Sequence, residues 1–246
     1  MNRIETGIKG FDDLVEGGFP EKSAVLLLGT YGTGKSIFGL EYIYNGALNH
    51  GDVGVYISFE QTPETLRNQA KQMGYEEFEN LENEGKIVQV NIPTDMVDNN
   101  TEKVILDTIK EKGAKRVVVD SLSALSINAP VYLLAQKDLY THYETDKKII
   151  HSAINYDDLK KNFIYGFIRK LRETGATSLL ISEIEDGVSV DKVSEYVSDG
   201  VVQLNFESMG GDYSRSLLVR KMRLTMNDEN VAPVELSKQG IVVHRV

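Results

Sequence analysis

The run Gly29-Thr30-Tyr31-Gly32-Thr33-Gly34-Lys35-Ser36 carries the most specific chemistry in the chain, because it fits G-x-x-x-x-G-K-[ST] between a strand-like and a helix-like segment. Gly32 and Gly34 permit positive φ and let successive backbone N–H groups close around an anion. Lys35 supplies a point charge for the β and γ phosphates of a nucleoside triphosphate, and the Ser36 hydroxyl is a ligand for Mg²⁺. A dinucleotide-binding turn is also glycine-rich, and it needs an acid at the end of the next strand to hold a ribose. Glu60 could fill that part, but such a turn needs no Lys-Ser pair, so Lys35 and Ser36 favour the triphosphate.

A second acid stands at the end of the apolar run Val117-Val118-Val119. Asp120 there would reach Mg²⁺, directly or through water, alongside Ser36; the competing reading is a cap for the next helix. Glu60 also ends an apolar run, at the carboxyl edge where open α/β sheets build their sites, and Glu183 ends a further apolar strand. Lys221 and Arg223 lie two apart, so on a strand they project from one face and can reach one target together; otherwise they form a basic face in water.

These groups need a frame. Residues 23–28 read as a strand buried on both faces and 37–49 as a helix, which puts the positive end of a helix dipole behind the loop. Further strands are expected at 53–59, 87–90, 115–121 and 177–182. Helices are expected at 63–73 with Thr62 as N-cap and Gly74 as stop, at 76–84, at 101–112 and at 160–174. Residues 4–20 read as a short helix between glycines. From Gly200 onward the pattern turns to strands alone, at 200–206, 215–224, 234–236 and 240–244. The expected fold is α/β: a mainly parallel central sheet, helices on both faces and an antiparallel C-terminal extension. Residues 1–246 are expected to form a single domain. Within it, 127–160 stands apart as a helical insertion or lid, where Tyr132, Tyr140, Tyr143 and Tyr156 could stack bases against the opposing charge of Asp138, Glu144, Asp146, Asp157 and Asp158.

Composition narrows the partners. The chain has 246 residues, 41% hydrophobic and 26% charged, and no apolar run of the ~18 residues that mark a membrane span. The first residues lack the apolar core of a signal peptide, so a cytoplasmic protein without membrane insertion is expected. There is no cysteine, which excludes disulfides, thiolate metal sites and thiol nucleophiles. His50, His142, His151 and His244 show no ligand spacing. A formal net charge of -10 disfavours a surface built for nucleic acid.

Taken in order, Gly7-Ile8-Lys9-Gly10-Phe11-Asp12, Gly17-Gly18-Phe19-Pro20, the loop Gly29 to Ser36, Ser58-Phe59-Glu60, Arg116 to Leu122, Glu195 to Val202 and Lys221-Met222-Arg223 resemble the KaiC-like ATPases of the RecA/RadA superfamily, in a single-domain form. The resemblance covers residues 3–126 and 163–246. It implies a RecA-type core, ATP with Mg²⁺ and a homo-oligomer, a hexameric ring or filament with ATP between neighbours. It also implies that Glu60 polarises the attacking water and that Lys221 and Arg223 act on a neighbour's nucleotide. Phosphoryl transfer needs little covalent help, so a strand-end carboxylate that orients water suits the chemistry.

The sequence departs from the family where a second glutamate often follows the first, because Gln61 stands there and cannot act as a base; slow hydrolysis is expected. It also lacks the tandem domains and the phosphorylated Ser-Thr pair of the clock protein, so no circadian role follows. Two functions remain: a ring-forming regulatory ATPase, or a RadA-paralogue-like protein that binds single-stranded DNA in recombination or repair. The stretch 184–192, where recombinases place a DNA loop, holds Glu185, Asp186 and Asp191 against Lys192. Single-stranded DNA should therefore bind weakly at physiological salt. Tight, salt-sensitive binding in an anisotropy titration would promote the recombination reading instead.

Overall fold

The computed structural model describes residues 2–126, 156–185, 188–189, 192–209, 212–238 and 240–245. The chain opens on β1 (Arg3–Ile4), paired antiparallel with β2 (Phe19–Pro20) around a 3₁₀ turn at Asp12–Val15. The short helix expected between glycines within 4–20 is this single 3₁₀ turn. Gly7 and Gly10 take φ of 69° and 79°, outside the right-handed helix, and the Asp12 carboxylate accepts hydrogen bonds from Thr6 N and Gly7 N at 3.0 and 2.9 Å. The local polar bonds win over helix continuation.

Strand β3 (Ala24–Gly29) is buried at every position and runs into the glycine-rich loop, from which α1 (Lys35–His50) departs. Next come β4 (Gly54–Ser58), α2 (Pro63–Gln72), α3 (Phe78–Asn83), β5 (Ile87–Asn91), α4 (Thr101–Glu111) and β6 (Arg116–Asp120). The Thr62 hydroxyl caps α2 by accepting from Thr65 N, as its sequence position predicts. Helix α5 (Tyr156–Glu173) starts four residues before the expected position, inside the stretch read as an insertion. The rest of that stretch, with Tyr132, Tyr140 and Tyr143, lies outside the described residues.

Beyond α5 the chain forms β7 (Thr177–Glu185), β8 (Val188–Ser189), α6 (Lys192–Val197), β9 (Gly200–Met209), β10 (Asp212–Met222), β11 (Ala232–Ser237) and β12 (Gly240–Val243). The main path of the sheet is β12-β11-β10-β9-β3-β7-β6-β4-β5, with β8 paired to β7. It is parallel from β9 through β5, and along this path the antiparallel pairs are β9-β10, β10-β11 and β11-β12. The antiparallel extension therefore begins one strand later than expected at residue 200. The segment containing α6 carries the chain back to the start of β3, the crossover that a parallel neighbour requires.

Alternation along the buried strands feeds two cores. Val25, Leu27 and Ile181 pack with Phe38 and Ile43 of α1 and Leu66 of α2, while Leu26, Leu28 and Leu180 pack with Ile105 of α4 and Phe167 and Leu171 of α5. Helices thus cover both faces. Among the described residues no helix is long and apolar enough to cross a membrane.

One buried charge anchors the first core to the sheet. Arg116 is 1% exposed, and its Nε donates to Asp52 Oδ2 at 3.0 Å while NH1 donates to the carbonyls of Glu5 at 2.6 Å and Tyr42 at 3.3 Å. Its guanidinium also lies over the Tyr42 ring, 5.0 Å from the centroid. Such a buried ion is tolerable only because these partners satisfy it. Gly46 of α1 makes the room, since a Cβ there would run into the guanidinium. Gly46→Ala should therefore destabilise the fold by about 1–3 kcal/mol despite the better helix propensity of alanine. Thermal melting checks this; an unchanged or raised Tm would show that Arg116 can move aside.

Candidate nucleotide site

The loop gets its shape from close backbone packing. A Cβ at Gly29 would stand 2.7 Å from both the Leu204 carbonyl and Thr33 Oγ1, so only glycine fits at the end of β3. Gly34 caps α1 with φ of 104°, and its carbonyl accepts from Phe38 N at 2.9 Å to open the helix. Within the loop Thr33 Oγ1 donates to the Thr30 carbonyl at 2.9 Å. From outside, Arg215 of β10 donates through Nε and NH2 to the Gly32 carbonyl at 3.2 and 3.1 Å, with its guanidinium 4.5 Å from the Phe206 ring centroid.

A cleft of about 420 Å³ opens beside this loop, lined among others by Lys35, Ser36, Glu60, Asp120, Glu183 and Arg215. The acids arrive there because β4, β6 and β7 are parallel neighbours whose carboxyl ends lie together. Lys35 Nζ donates to the carbonyls of Gly29 and Thr30, each at 2.8 Å. Burial pushes the Lys35 pKa down, opposed by Glu183, Asp120 and Glu60. Burial in turn raises the Glu60 pKa, helped by repulsion from Asp120 and Glu183 and opposed by Lys35.

The fully buried Tyr56 of β4 ties the two expected metal ligands together. Its hydroxyl donates to Asp120 Oδ2 at 2.7 Å and also meets the Ser36 hydroxyl. Burial, then the Asp120 charge, hold the phenol pKa well above its ordinary range, so it stays a donor. Ser36 and Asp120 therefore present oxygens side by side in a cleft where carboxylates outnumber the lysine. That donor set fits a hard divalent cation such as Mg²⁺, which takes one or two protein oxygens and fills its shell with water and phosphate.

The loop residues Gly29 to Ser36, Glu60 and Asp120 thus meet at one end of the sheet. Lys221 and Arg223 do not join them. Lys221 pairs with Val201, which pairs with Leu26 near the start of β3, whereas Arg215 lies level with Phe206 beyond the loop end. With six residues in β3, its two ends are about 17 Å apart. The expected shared strand face is also altered: the register shifts between Val219 and Lys221, and Arg223 falls past the last strand residue, Met222. Both residues still reach one neighbourhood, because Lys221 Nζ donates to the carbonyls of Glu195 and Tyr196 at 3.1 and 3.3 Å, while Arg223 NH1 donates to Asp199 Oδ1 at 3.1 Å.

Sequence reasoning named Glu183 as a strand end but gave it no role, and it missed Arg215 and Tyr56 altogether. In the fold β7 runs on to Glu185, and Glu183 reaches the cleft because it stands level with Gly29 of β3. Nothing local marks Arg215, whose contact with Gly32 spans a sequence separation of 183.

The parallel sheet, the loop leading into α1 and the converging strand-end acids define a RecA-type P-loop core. The KaiC ATPase family model matches residues 4–137 and 148–246, and the chain belongs to that family. The match reaches into the stretch set apart at 127–160, leaving residues 138–147 outside it. A UPF0273 protein of Methanocaldococcus jannaschii is 30% identical over 99% of this chain and 97% of its own length. A UPF0273 protein of Pyrococcus furiosus is 31% identical, covering 99% of this chain and 94% of its own. The crystal structure of a KaiC-like protein from Pyrococcus horikoshii superposes with a TM-score of 0.81 at 31% identity, covering 99% of both chains.

If carboxylate crowding contributes to the high Glu60 pKa, Glu183→Gln should lower it. Carbon-13 NMR titration of labelled glutamate in nucleotide-free protein should place the Glu60 midpoint at lower pH in the variant than in wild type. Coincident midpoints would show that Glu183 adds nothing to burial and the repulsion from Asp120.

Proposed function

We propose that the chain is an ATP-binding, slowly hydrolysing regulatory ATPase of the cytoplasm that assembles into a homo-oligomeric ring or filament, with each ATP held between two subunits. Membership of the KaiC ATPase family supports this reading. The observation that carries it is the separation within one subunit: loop, Glu60 and Asp120 share a cleft, while Lys221 and Arg223 lie at the far end of β3. Cations at that end are of use to a nucleotide only if it belongs to a neighbour.

On this reading the backbone N–H groups of residues 29–36 and the Lys35 ammonium bind the triphosphate. Ser36 and Asp120 would hold Mg²⁺, which supplies charge neutralisation for the β and γ phosphates. Glu60 orients the attacking water, and its raised pKa brings it closer to the range useful for taking a proton. Gln61 follows it with an amide that cannot act as a base, hence slow turnover. Lys221 and Arg223 of the adjoining subunit stabilise developing charge, an effect that can reach about 10³-fold or more in rate. The nucleotide state would then set the arrangement of subunits and, through it, the binding of a protein partner.

Lys35→Ala should abolish most ATP binding while circular dichroism stays unchanged, because it removes one phosphate-facing charge at the surface of a cleft. Equal affinity for labelled ATP in variant and wild type would overturn the loop assignment. Arrangement in trans is tested by mixing. A Lys221→Ala/Arg223→Ala double variant and Glu60→Gln, each nearly inactive alone, should regain activity together, since some interfaces combine an intact Glu60 with intact cations. Continued inactivity after demonstrated subunit exchange, or a protein that stays monomeric with saturating ATP and Mg²⁺, would overturn it.

A further inference from the structure

The segment Ser198-Asp199-Gly200 has no part in the cleft, yet Asp199 is the hub of the opposite end of the sheet. Its Oδ2 accepts from Ala24 N at 3.0 Å and from Arg172 Nε at 2.8 Å, while Oδ1 accepts from Arg223 NH1 at 3.1 Å. The backbone adds Asp199 N to the Ala24 carbonyl and Arg223 N to the Asp199 carbonyl, each at 2.8 Å. Arg172 is itself fixed, because NH2 donates to the Val197 carbonyl at 2.6 Å at the end of α6.

We propose that Asp199 is the positioning residue for the Arg223 guanidinium that one subunit lends to the next. The inference rests on the trans reading above and deepens it. Exposure separates the two roles: the Asp199 side chain is 18% exposed and the Arg223 side chain 53%. Asp199 is thus held inside the subunit while Arg223 is offered outward. A guanidinium has five N–H donors, so a bond through NH1 orients the fork without consuming its capacity for phosphate oxygens. A long side chain held in one place also loses less conformational entropy when it meets the nucleotide. Asp199 meets β3 at Ala24, and β3 is rigidly buried, so the orienting group is referenced to the same strand that ends at the phosphate loop.

The test is Asp199→Asn, which keeps an oxygen for Ala24 N but loses the charge that holds two guanidinium groups. A misplacement of about 1 Å can cost on the order of 10²-fold in rate, so kcat should fall by about tenfold to a hundredfold while affinity for ATP changes less than twofold. A structural role alone predicts no side-specific rescue. In mixed oligomers Asp199→Asn should be rescued by Glu60→Gln subunits, which lack a working cleft but offer an intact Asp199 and Arg223. If Arg223→Ala is rescued by Glu60→Gln and Asp199→Asn is not, Asp199 acts elsewhere and the proposal falls while the trans arrangement stands. If neither is rescued, the trans arrangement itself fails. Unchanged kcat in Asp199→Asn also overturns the proposal. Should Asp199→Asn fail to fold, Arg172→Gln loosens the same carboxylate without touching β3 and is judged by the same two mixtures.

Discussion

The carboxylates of Glu60, Asp120 and Glu183 converge on the single ammonium of Lys35, and this imbalance governs the cleft. Like charges at the ends of adjacent strands repel, and partial burial makes the repulsion stronger than it would be in water. The fold tolerates it for two reasons. Tyr56 engages Asp120 from beneath at 2.7 Å, and the cleft remains open enough for a cation to neutralise the rest. The parallel order β7-β6-β4 is what creates the problem, since it brings the carboxyl ends of these strands to one edge. The same order makes the site, because no single loop could deliver these acids and a phosphate cradle to one place.

A parallel sheet has two unlike edges, and this chain uses both. At the carboxyl edge of β3 sit the loop and the acids; at the amino edge sit Arg172, Lys221 and Arg223 around Asp199. Burial and repulsion from Arg223 both push the Lys221 pKa down, so this edge is crowded with cations as the other is crowded with acids. The strand-end acids of the cleft and this cluster of cations thus lie a strand's length apart.

Much of this was legible in the sequence where the signal is local. The loop is a contiguous pattern, and the strand-end acids follow apolar runs whose length and β-branching mark buried strands. The Thr62 cap and the stop at Gly74 are also local chemistry. What was not legible depends on tertiary contact. The direction of β9 is set by its pairing with β3, 175 residues earlier by the Val25 and Gly200 register, and strand propensity carries no information on direction. The short helix expected within 4–20 is confined to the 3₁₀ turn Asp12–Val15, because the Asp12 carboxylate accepts from Thr6 N and Gly7 N ahead of it. The shared face of Lys221 and Arg223 was lost to a register shift after Val219, which alternation alone cannot reveal. Arg215 was invisible for the same reason as β9: its partner Gly32 is brought to it only by the complete sheet.

The C-terminal strands are more than an appendage, because they press on the helix that begins at the loop. Leu236 of β11 lies 3.2 Å from where a Cβ on Gly34 would stand, and Glu41 of α1, 4% exposed, accepts from Ile241 N of β12 at 2.8 Å. Gly240, with φ of 102°, passes so close to that carboxylate that any Cβ would clash with it. Burial pushes the Glu41 pKa up to about 7, whereas an unfolded glutamate titrates near its ordinary value of about 4.5. A raised acid pKa means that the contact is most favourable while the carboxyl is protonated in both states. That advantage is lost progressively as pH rises from about 4.5 to about 7. An apolar residue would avoid this cost but could not accept from Ile241 N, so the carboxyl ties β12 to α1 at some expense in stability. Through α1 and Leu236 the antiparallel extension holds the far side of the phosphate loop, as Arg215 holds the near side, and the loop is thereby shaped from both directions by strands that enter the chain last.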